Sequence, residues 1–177
     1  YRFGDRTMTS TLKVDQIQNS SGTSGLSIDS NGVVTKSVIP AWRVTRSATQ
    51  SGLSNSTSVV QFDTISGRNC FIQGGCTLSS GVITVPVTGI YQVNFNLRFD
   101  GVGTGYLVGR ISINNQTTSN TQTYVISGSP SSNYENASGS DVFSLNANDT
   151  VRIYYTVSSD GSWSLHQYCT FSGHLIG

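Results

Sequence analysis

From Gly89 to Phe99 the chain reads GIYQVNFNLRF, and after the glycine it alternates almost without error. Tyr91, Val93, Phe95, Leu97 and Phe99 fall on one side, and Gln92, Asn94, Asn96 and Arg98 on the other. A period of two over so many residues specifies a β-strand with one face in a core. Nothing in it blunts pairing, so the strand belongs inside a sheet rather than at its edge. Its second face is unusual, because it carries amides where a solvated strand would carry Lys and Glu.

The rest of the chain agrees with an all-β fold. Glu135 is the only glutamate, Lys13 and Lys36 are the only lysines, and Met8 is the only methionine. Ser, Thr, Asn and Gly dominate, with β-branched and aromatic residues supplying the apolar part. A formal net charge of +1, carried by scattered arginines, offers no phosphate-binding run, so nucleic acid is not an expected partner. No apolar segment approaches the length of a membrane span, and no signal-peptide-like h-region opens the chain. Scarce lysine amid abundant Ser, Thr and Asn fits a virion or extracellular part better than a cytosolic enzyme.

Two regions divide near Pro40. Residues 1–39 hold three short apolar pulses, Leu12/Val14/Ile17, Leu26/Ile28 and Val33/Val34, separated by Gly/Ser clusters at 20–25 and by Asn31-Gly32. These are turn signals, and the apolar content is too small to fold alone. Such a segment must pack on the main domain, on a copy of itself or on another protein. Residues 1–7, YRFGDRT, precede Met8, match neither region and are set aside. Residues 40–177 show turn signals at the spacing of a β-sandwich. Strands are expected near 40–49, 57–63, 69–73, 81–87, 90–99, 106–113, 121–127, 141–145, 149–157 and 166–176, in two packed antiparallel sheets.

Four ordered motifs then carry a family resemblance. SGVITVPVTGIYQVNFNLRF resembles the signature of the C1q globular head, a branch of the tumour necrosis factor-like jelly rolls; Gly81, Ile83, Pro86, Gly89, Tyr91, Val93 and Phe95 occupy its places. PAWRVTRSATQ with VVQFD resembles the family's opening strand and Phe-Asp element. SGSDVFSLNANDTVRIYY resembles its Leu-x-x-Gly-Asp-x-Val turn, with Asn148 where Gly is usual, and CTFSGHLIG resembles its closing strand. The resemblance spans 40–177 and implies an antiparallel jelly-roll β-sandwich assembled as a homotrimer, with one sheet facing the threefold axis. Gln92, Asn94 and Asn96 would then meet a neighbouring subunit, where amides desolvate at less cost than Lys or Glu. Tyr168 and Ile176 join that interface set, because the last strand has apolar residues on both faces. Leu165, Cys169, Phe171 and Leu175 lie on one, Tyr168 and Ile176 with Thr170 on the other, and the sequence does not decide which is the core face. The segment STLKVDQIQNSSGTSGLSIDSNGVV resembles the openings of bacteriophage tail-fibre and related virion proteins, especially of marine and cyanobacterial phages.

Catalytic chemistry is not expected. His166 and His174 stand eight residues apart in the last expected strand, roughly 26 Å at the strand rise, too far to share a metal. No Ser-His-Asp or Cys-His spacing occurs, GVGTG at 101–105 lacks a phosphate loop's context, and the nine acids are scattered through turns. Cys70 and Cys76 flank FIQGG, close enough for a small-loop disulfide in oxidising surroundings, against free thiols in a reducing cytosol, the favoured alternative. Cys169 reads as a small buried apolar residue.

Counting eight principal antiparallel strands puts Pro40 and Gly177 at one end, next to the attachment segment. Loops at 100–105, 128–140 and 158–165 then fall at the other end. They contain Asp100, Tyr134, Glu135, Asp160 and Trp163, a candidate receptor-binding tip. Glu135, Asp100 and Asp160, repeated around an axis, could also hold a cation; no other cofactor is expected. The leading expectation is a homotrimeric phage virion protein of the tail-fibre type, attached to other virion proteins by residues 1–39. Its head would contact a host cell-surface glycan or protein. Its alternatives are a capsid decoration protein that reads no receptor, and a secreted module of a cellular organism.

Overall fold

The computed structural model describes residues 13–22, 24–36, 38–103, 105–116, 124–128, 134–158 and 161–177. The chain divides into two compact units, Tyr1–Val38 and Ile39–Gly177.

The first unit is a three-stranded antiparallel sheet of β1 (Gln16–Gln18), β2 (Ser24–Ile28) and β3 (Val34–Lys36). Asp29 builds the second hairpin turn, its carboxylate accepting from the amides of Asn31 (2.8 Å) and Val33 (2.9 Å). Register sorts the side chains by face. Ile17 lies opposite Leu26 and Ile28 opposite Val34, making one apolar face. Ser27 and Thr35 bond hydroxyl to hydroxyl at 2.6 Å on the other.

In the second unit the strands are β4 (Ala41–Thr45), β5 (Gln50–Leu53), β6 (Ser56–Val59), β7 (Phe71–Gln73), β8 (Thr77–Ser79), β9 (Val82–Thr84), β10 (Gly89–Val102), β11 (Tyr106–Ile113), β12 (Tyr124–Gly128), β13 (Tyr134–Leu145), β14 (Thr150–Ser158), β15 (Ser162–Leu165) and β16 (Thr170–Leu175). All paired strands are antiparallel, and they form two sheets. In the first, β10 is central: β13 runs along one side of it, and β15 and β16 share the other side end to end. Beyond β15 and β16 lie β5 and β4, and β7 closes that margin. The second sheet runs β12-β11-β14, with β9 and β6 end to end along β14 and β8 outermost beyond β9. This is the expected all-β antiparallel sandwich.

The alternating face of β10 fills the space between the sheets. Tyr91, Val93, Phe95, Leu97 and Phe99 are buried with Trp42, Phe62, Ile83, Ile153, Trp163 and Phe171. Trp42 meets Phe171 edge-on at 5.6 Å between centroids, and Phe62 packs on Phe171 at 5.5 Å. Two strand glycines make room for this packing. A Cβ at Gly109 would stand 2.5 Å from Phe95 Cε2, and one at Gly173 would stand 2.5 Å from Trp42 Cη2.

The structure departs from the sequence expectations in several places. The segment 128–140, expected as a loop, contributes the first half of β13, so Tyr134 and Glu135 lie on a strand paired with Asp100 and Phe99. Within 158–165, residues Ser162–Leu165 form β15. The last strand starts at Thr170, leaving His166 in the turn before it, where the Cys169 amide donates to the His166 carbonyl. Its core face is the one with Cys169 and Phe171, both fully buried. Cys70, Cys76 and Cys169 are all free, which is the favoured of the two expectations. Burial pushes the Cys76 and Cys169 thiols up to about 11. Asp160 lies outside the described residues.

Candidate binding surface

The outer face of the β10 sheet has three zones along its strands. At the end where Pro40 and Gly177 meet (the Leu175 amide donates to the Pro40 carbonyl at 2.9 Å) it exposes apolar side chains beside Gln92 and His174. Ile90 and Ile176 stand side by side there through paired backbones, and Val142 lies opposite Gln92. Val142 is 52% and Ile176 53% exposed.

The middle zone is a ladder of amides and serines. Ser138 and Ser140 on β13 stand opposite Asn96 and Asn94. Asn96 donates to the Ser138 hydroxyl at 2.8 Å, the Ser140 hydroxyl donates to Asn94 Oδ1 at 2.7 Å, and Gln92 reaches Ser140 at 3.4 Å. Each amide thus gains a neutral partner within its own chain while keeping further donors or acceptors toward the open side. On β16, Ser172 and Thr170 continue the polar rows.

The far end is charged and aromatic. Arg98 Nε donates to Asp100 Oδ1 at 2.7 Å, and this bond raises the guanidinium above its ordinary value. The Arg98 guanidinium lies 4.7 Å from the Tyr134 ring centroid. His166 Nε2 stands 3.9 Å from the other Asp100 oxygen. The Tyr168 amide donates to His166 Nδ1 at 3.1 Å, which leaves Nε2 as the proton-bearing nitrogen of the neutral ring, directed at Asp100. The His166 and Tyr168 rings meet edge-on at 4.4 Å, and Arg68 lies 5.7 Å from the Tyr168 centroid. The result is a continuous row, Tyr134–Arg98–Asp100–His166–Tyr168–Arg68. Tyr134 is 60% and Tyr168 59% exposed. Ring faces flanked by a guanidinium fork and a carboxylate can stack on a flat apolar patch of a ligand and hydrogen-bond its hydroxyl, amide or charged groups.

The sequence-derived candidates distribute unevenly over this surface. Gln92, Asn94, Asn96, Tyr168 and Ile176 all lie on the outer face. Asp100 and Tyr134 come together at the end opposite Pro40 and Gly177 through the pairing of β10 with β13, whereas Glu135, paired with Phe99, lies at the same end on the other face of β13. Trp163 does not reach solvent. It is 1% exposed, paired across from Leu53 and Gly101, and belongs to the core. As a tip contact it is therefore corrected: in Ser162–Leu165 the odd positions point inward, and the same period of two seen in β10 would have shown it. Arg98 and His166 were missed, because their roles depend on neighbours in other strands. Among the described residues, no three His, Cys, Asp or Glu side chains gather as a metal site, and Asp100 already holds a cationic partner.

Comparison with known proteins agrees with this architecture. Murine APRIL superposes with a TM-score of 0.59 at 18% identity, covering 78% of this chain and 99% of that one. The globular domain of zebrafish complement 1qA superposes at 0.53 with 22% identity, covering 78% and 98%. Both likenesses concern the fold. None of the curated proteins compared matches the sequence. Residues 41–176 match the family model of the C1q domain, and the chain belongs to that family.

Proposed function

We propose that this protein is a homotrimeric virion protein of a bacteriophage, a tail-fibre-type appendage. Its C1q head, residues 40–177, contacts the host surface, and residues 1–39 attach it to other virion proteins. The observation that supports self-association best is the outer face of the β10 sheet. It exposes Ile90, Val142 and Ile176 beside a band of neutral amides and hydroxyls. Contiguous apolar area rimmed by polar groups is characteristic of a covered surface. Host contact is assigned to the opposite end, where Tyr134, Arg98 and Asp100 present a ring, a cation and an acid on rigid strands. The ligand is a cell-surface glycan or protein bearing hydroxyl or amide groups. The phage setting rests on the likeness of residues 10–34 to tail-fibre openings.

Light scattering on the purified chain at micromolar concentration tests the oligomer, and a monomer would overturn it. Asn94→Lys places an ammonium where Asn94 Oδ1 now accepts from Ser140, and in a trimer three such charges converge; the variant should dissociate more readily than the parent. Host contact is tested by Tyr134→Ala with Asp100→Asn, which should abolish adsorption to host cells without lowering the melting temperature by more than a few degrees. Undiminished adsorption would favour a capsid decoration protein instead. Imaging labelled protein on intact particles tests the virion assignment.

A further inference from the structure

On the far margin of the same outer face, Arg43, Thr45, Arg68, Gln167, Tyr168 and Thr170 line a cleft of about 350 Å³. Its two guanidiniums are held by backbone and amide oxygens. Arg43 donates to the Arg68 carbonyl at 2.6 Å, and Arg68 donates to the carbonyls of Arg46 and Gln167 and to Gln167 Oε1. Among the described residues neither arginine has a carboxylate partner. Two cations share a cleft with hydroxyl groups and no anion.

The opposite margin of the sheet is β13, which among the described residues pairs with β10 alone. Within it Ser140, Asp141 and Val142 are exposed in succession, so this stretch is open on both faces. Register fixes the height of Asp141 along the sheet. Asp141 stands opposite Val93, Val93 opposite Gly173, and Gly173 opposite Trp42, the residue before Arg43. Asp141 and Arg43 are thus within one residue of the same height, roughly 3.3 Å, but three strand spacings apart across the sheet, roughly 14 Å.

A cyclic trimer joins two different patches of the same chain head to tail. A threefold axis running along the strands leaves every residue at the height it has in one copy. An acid on one margin and uncompensated arginines on the other, at matched height, are then the two halves of one joint. We infer that the Asp141 carboxylate of each copy enters the Arg43–Arg68 cleft of its neighbour, so that three such pairs close the ring. This rests on the trimer proposed above and adds its contact residues and its direction. Charge pairing at the joint also sets register, since a half-strand slip would bring Arg43 onto the neutral serine rows.

A charge swap in the full chain tests it, read by sedimentation over a dilution series. Asp141→Arg and Arg43→Asp should each raise the dissociation midpoint by about tenfold or more, and the combined variant should recover to within about threefold of the parent. Asp141→Asn should weaken assembly less and reduce its sensitivity to salt. If Arg43→Asp fails to fold for want of its bond to the Arg68 carbonyl, Arg43→Gln takes its place in a double-mutant cycle with Asp141→Asn, where non-additivity is the supporting result. A trimeric parent whose single variants assemble normally, or whose swap does no better than the singles, overturns the pairing and leaves the trimer standing. A monomeric parent overturns both. Stabilisation of Asp141→Asn by millimolar inorganic phosphate, lost in Arg43→Gln, would make a free anion the occupant and overturn the proposal.

Discussion

Replacing Gly173 with Ala measures how tightly the two aromatic layers of the sandwich are locked. The residue lies at the middle of β16, between Trp42 on β4 and Val93 on β10. Its φ is that of ordinary strand, so the cost is steric. The new methyl would stand 2.5 Å from Trp42 Cη2 and 2.8 Å from the Gln92 carbonyl oxygen, well inside van der Waals contact. Trp42 cannot swing away freely, because its ring is packed against Tyr91 at 6.4 Å and Phe171 at 5.6 Å. The Gln92 carbonyl belongs to the central strand. Overpacking of this kind costs about 1–3 kcal/mol, and with a backbone atom among the obstacles the upper part of that range applies. At roughly 2.1 cal/mol/K per residue over the about 140 residues of the second unit, 3 kcal/mol corresponds to a fall of about 10 °C. Thermal unfolding followed by circular dichroism at fixed protein concentration reads it, with Ser79→Ala, exposed on β8 at the margin of the other sheet, as a control that should move by less than about 2 °C. Trp42→Phe shortens the obstructing ring, so the two changes together should cost less than their sum. A Gly173→Ala protein that melts with the parent would refute the packing argument, because the methyl would then have found room that the strand spacing does not provide.

Three further outcomes follow from other parts of the molecule. Burial pulls the Asp63 carboxyl upward, but bonds from the Ser47 hydroxyl (2.6 Å), the Ser47 amide (2.7 Å) and Thr64, with Arg46 nearby, outweigh it and hold the group below its usual range. Its stabilisation is therefore present above the unfolded aspartate value, about 4, and lost as pH falls through the lower folded value. Asp63→Asn should cost about 0.5–1.5 kcal/mol at neutral pH and flatten the acid limb of the melting-temperature profile; an unchanged acid limb would show that other carboxylates set it. With Cys76 and Cys169 buried and pushed up to about 11, a maleimide at neutral pH should label at most Cys70 in the folded protein and all three thiols after denaturation, as counted by mass spectrometry. Gly109→Ala should destabilise less than Gly173→Ala, since its methyl meets the far edge of the Phe95 ring and Leu97 Cδ1 at 3.1 Å, both side-chain atoms able to shift; an equal loss would mean that Phe95 is as rigid as Trp42.

The parts of the fold that local pattern encodes were legible, and those encoded across strands were not. β10 declared its two faces through a strict period of two, and the buried set Tyr91, Val93, Phe95, Leu97 and Phe99 is the one that pattern names. β13 hid because Asn, Ser and Gly in NYENASGS are poor strand formers and good turn formers. Tyr134–Ser140 nevertheless pair with Asp100–Asn94, because the ladder to a central strand outweighs that preference. Trp163 was misplaced for the converse reason: turn residues around it, SDGSWS, masked the alternation of Trp163 and Leu165 toward the core. Of the candidate binding end, Asp100 and Tyr134 were found and Arg98 was not. An arginine two residues from an aspartate is unremarkable in sequence until a strand from elsewhere lays Tyr134 over its guanidinium.

The amides of β10 show how one strand serves two purposes. Their inner neighbours make a core by size and shape alone, which any apolar set of similar volume would do. The outer residues need partners, and those partners, Ser138 and Ser140, come from a strand more than forty residues away. Lys or Glu in place of Asn94 and Asn96 would satisfy a solvated face equally well, but a charge could not then be covered at modest cost. A serine–amide ladder can be covered, because each side chain keeps unused hydrogen-bonding capacity without a net charge to desolvate. Charges sit at the margins of this sheet: Arg43 and Arg68 beyond one side of the outer face, the Arg98–Asp100 pair toward its far end, and Asp141 on the opposite margin, where its pairing with Val93 puts it on the other face of β13. A neutral middle flanked by unlike charges is suited to a copy of itself arriving from the side. Solubility alone would not require the charges to be sorted in this way, and the charge-swap experiment decides between the two explanations.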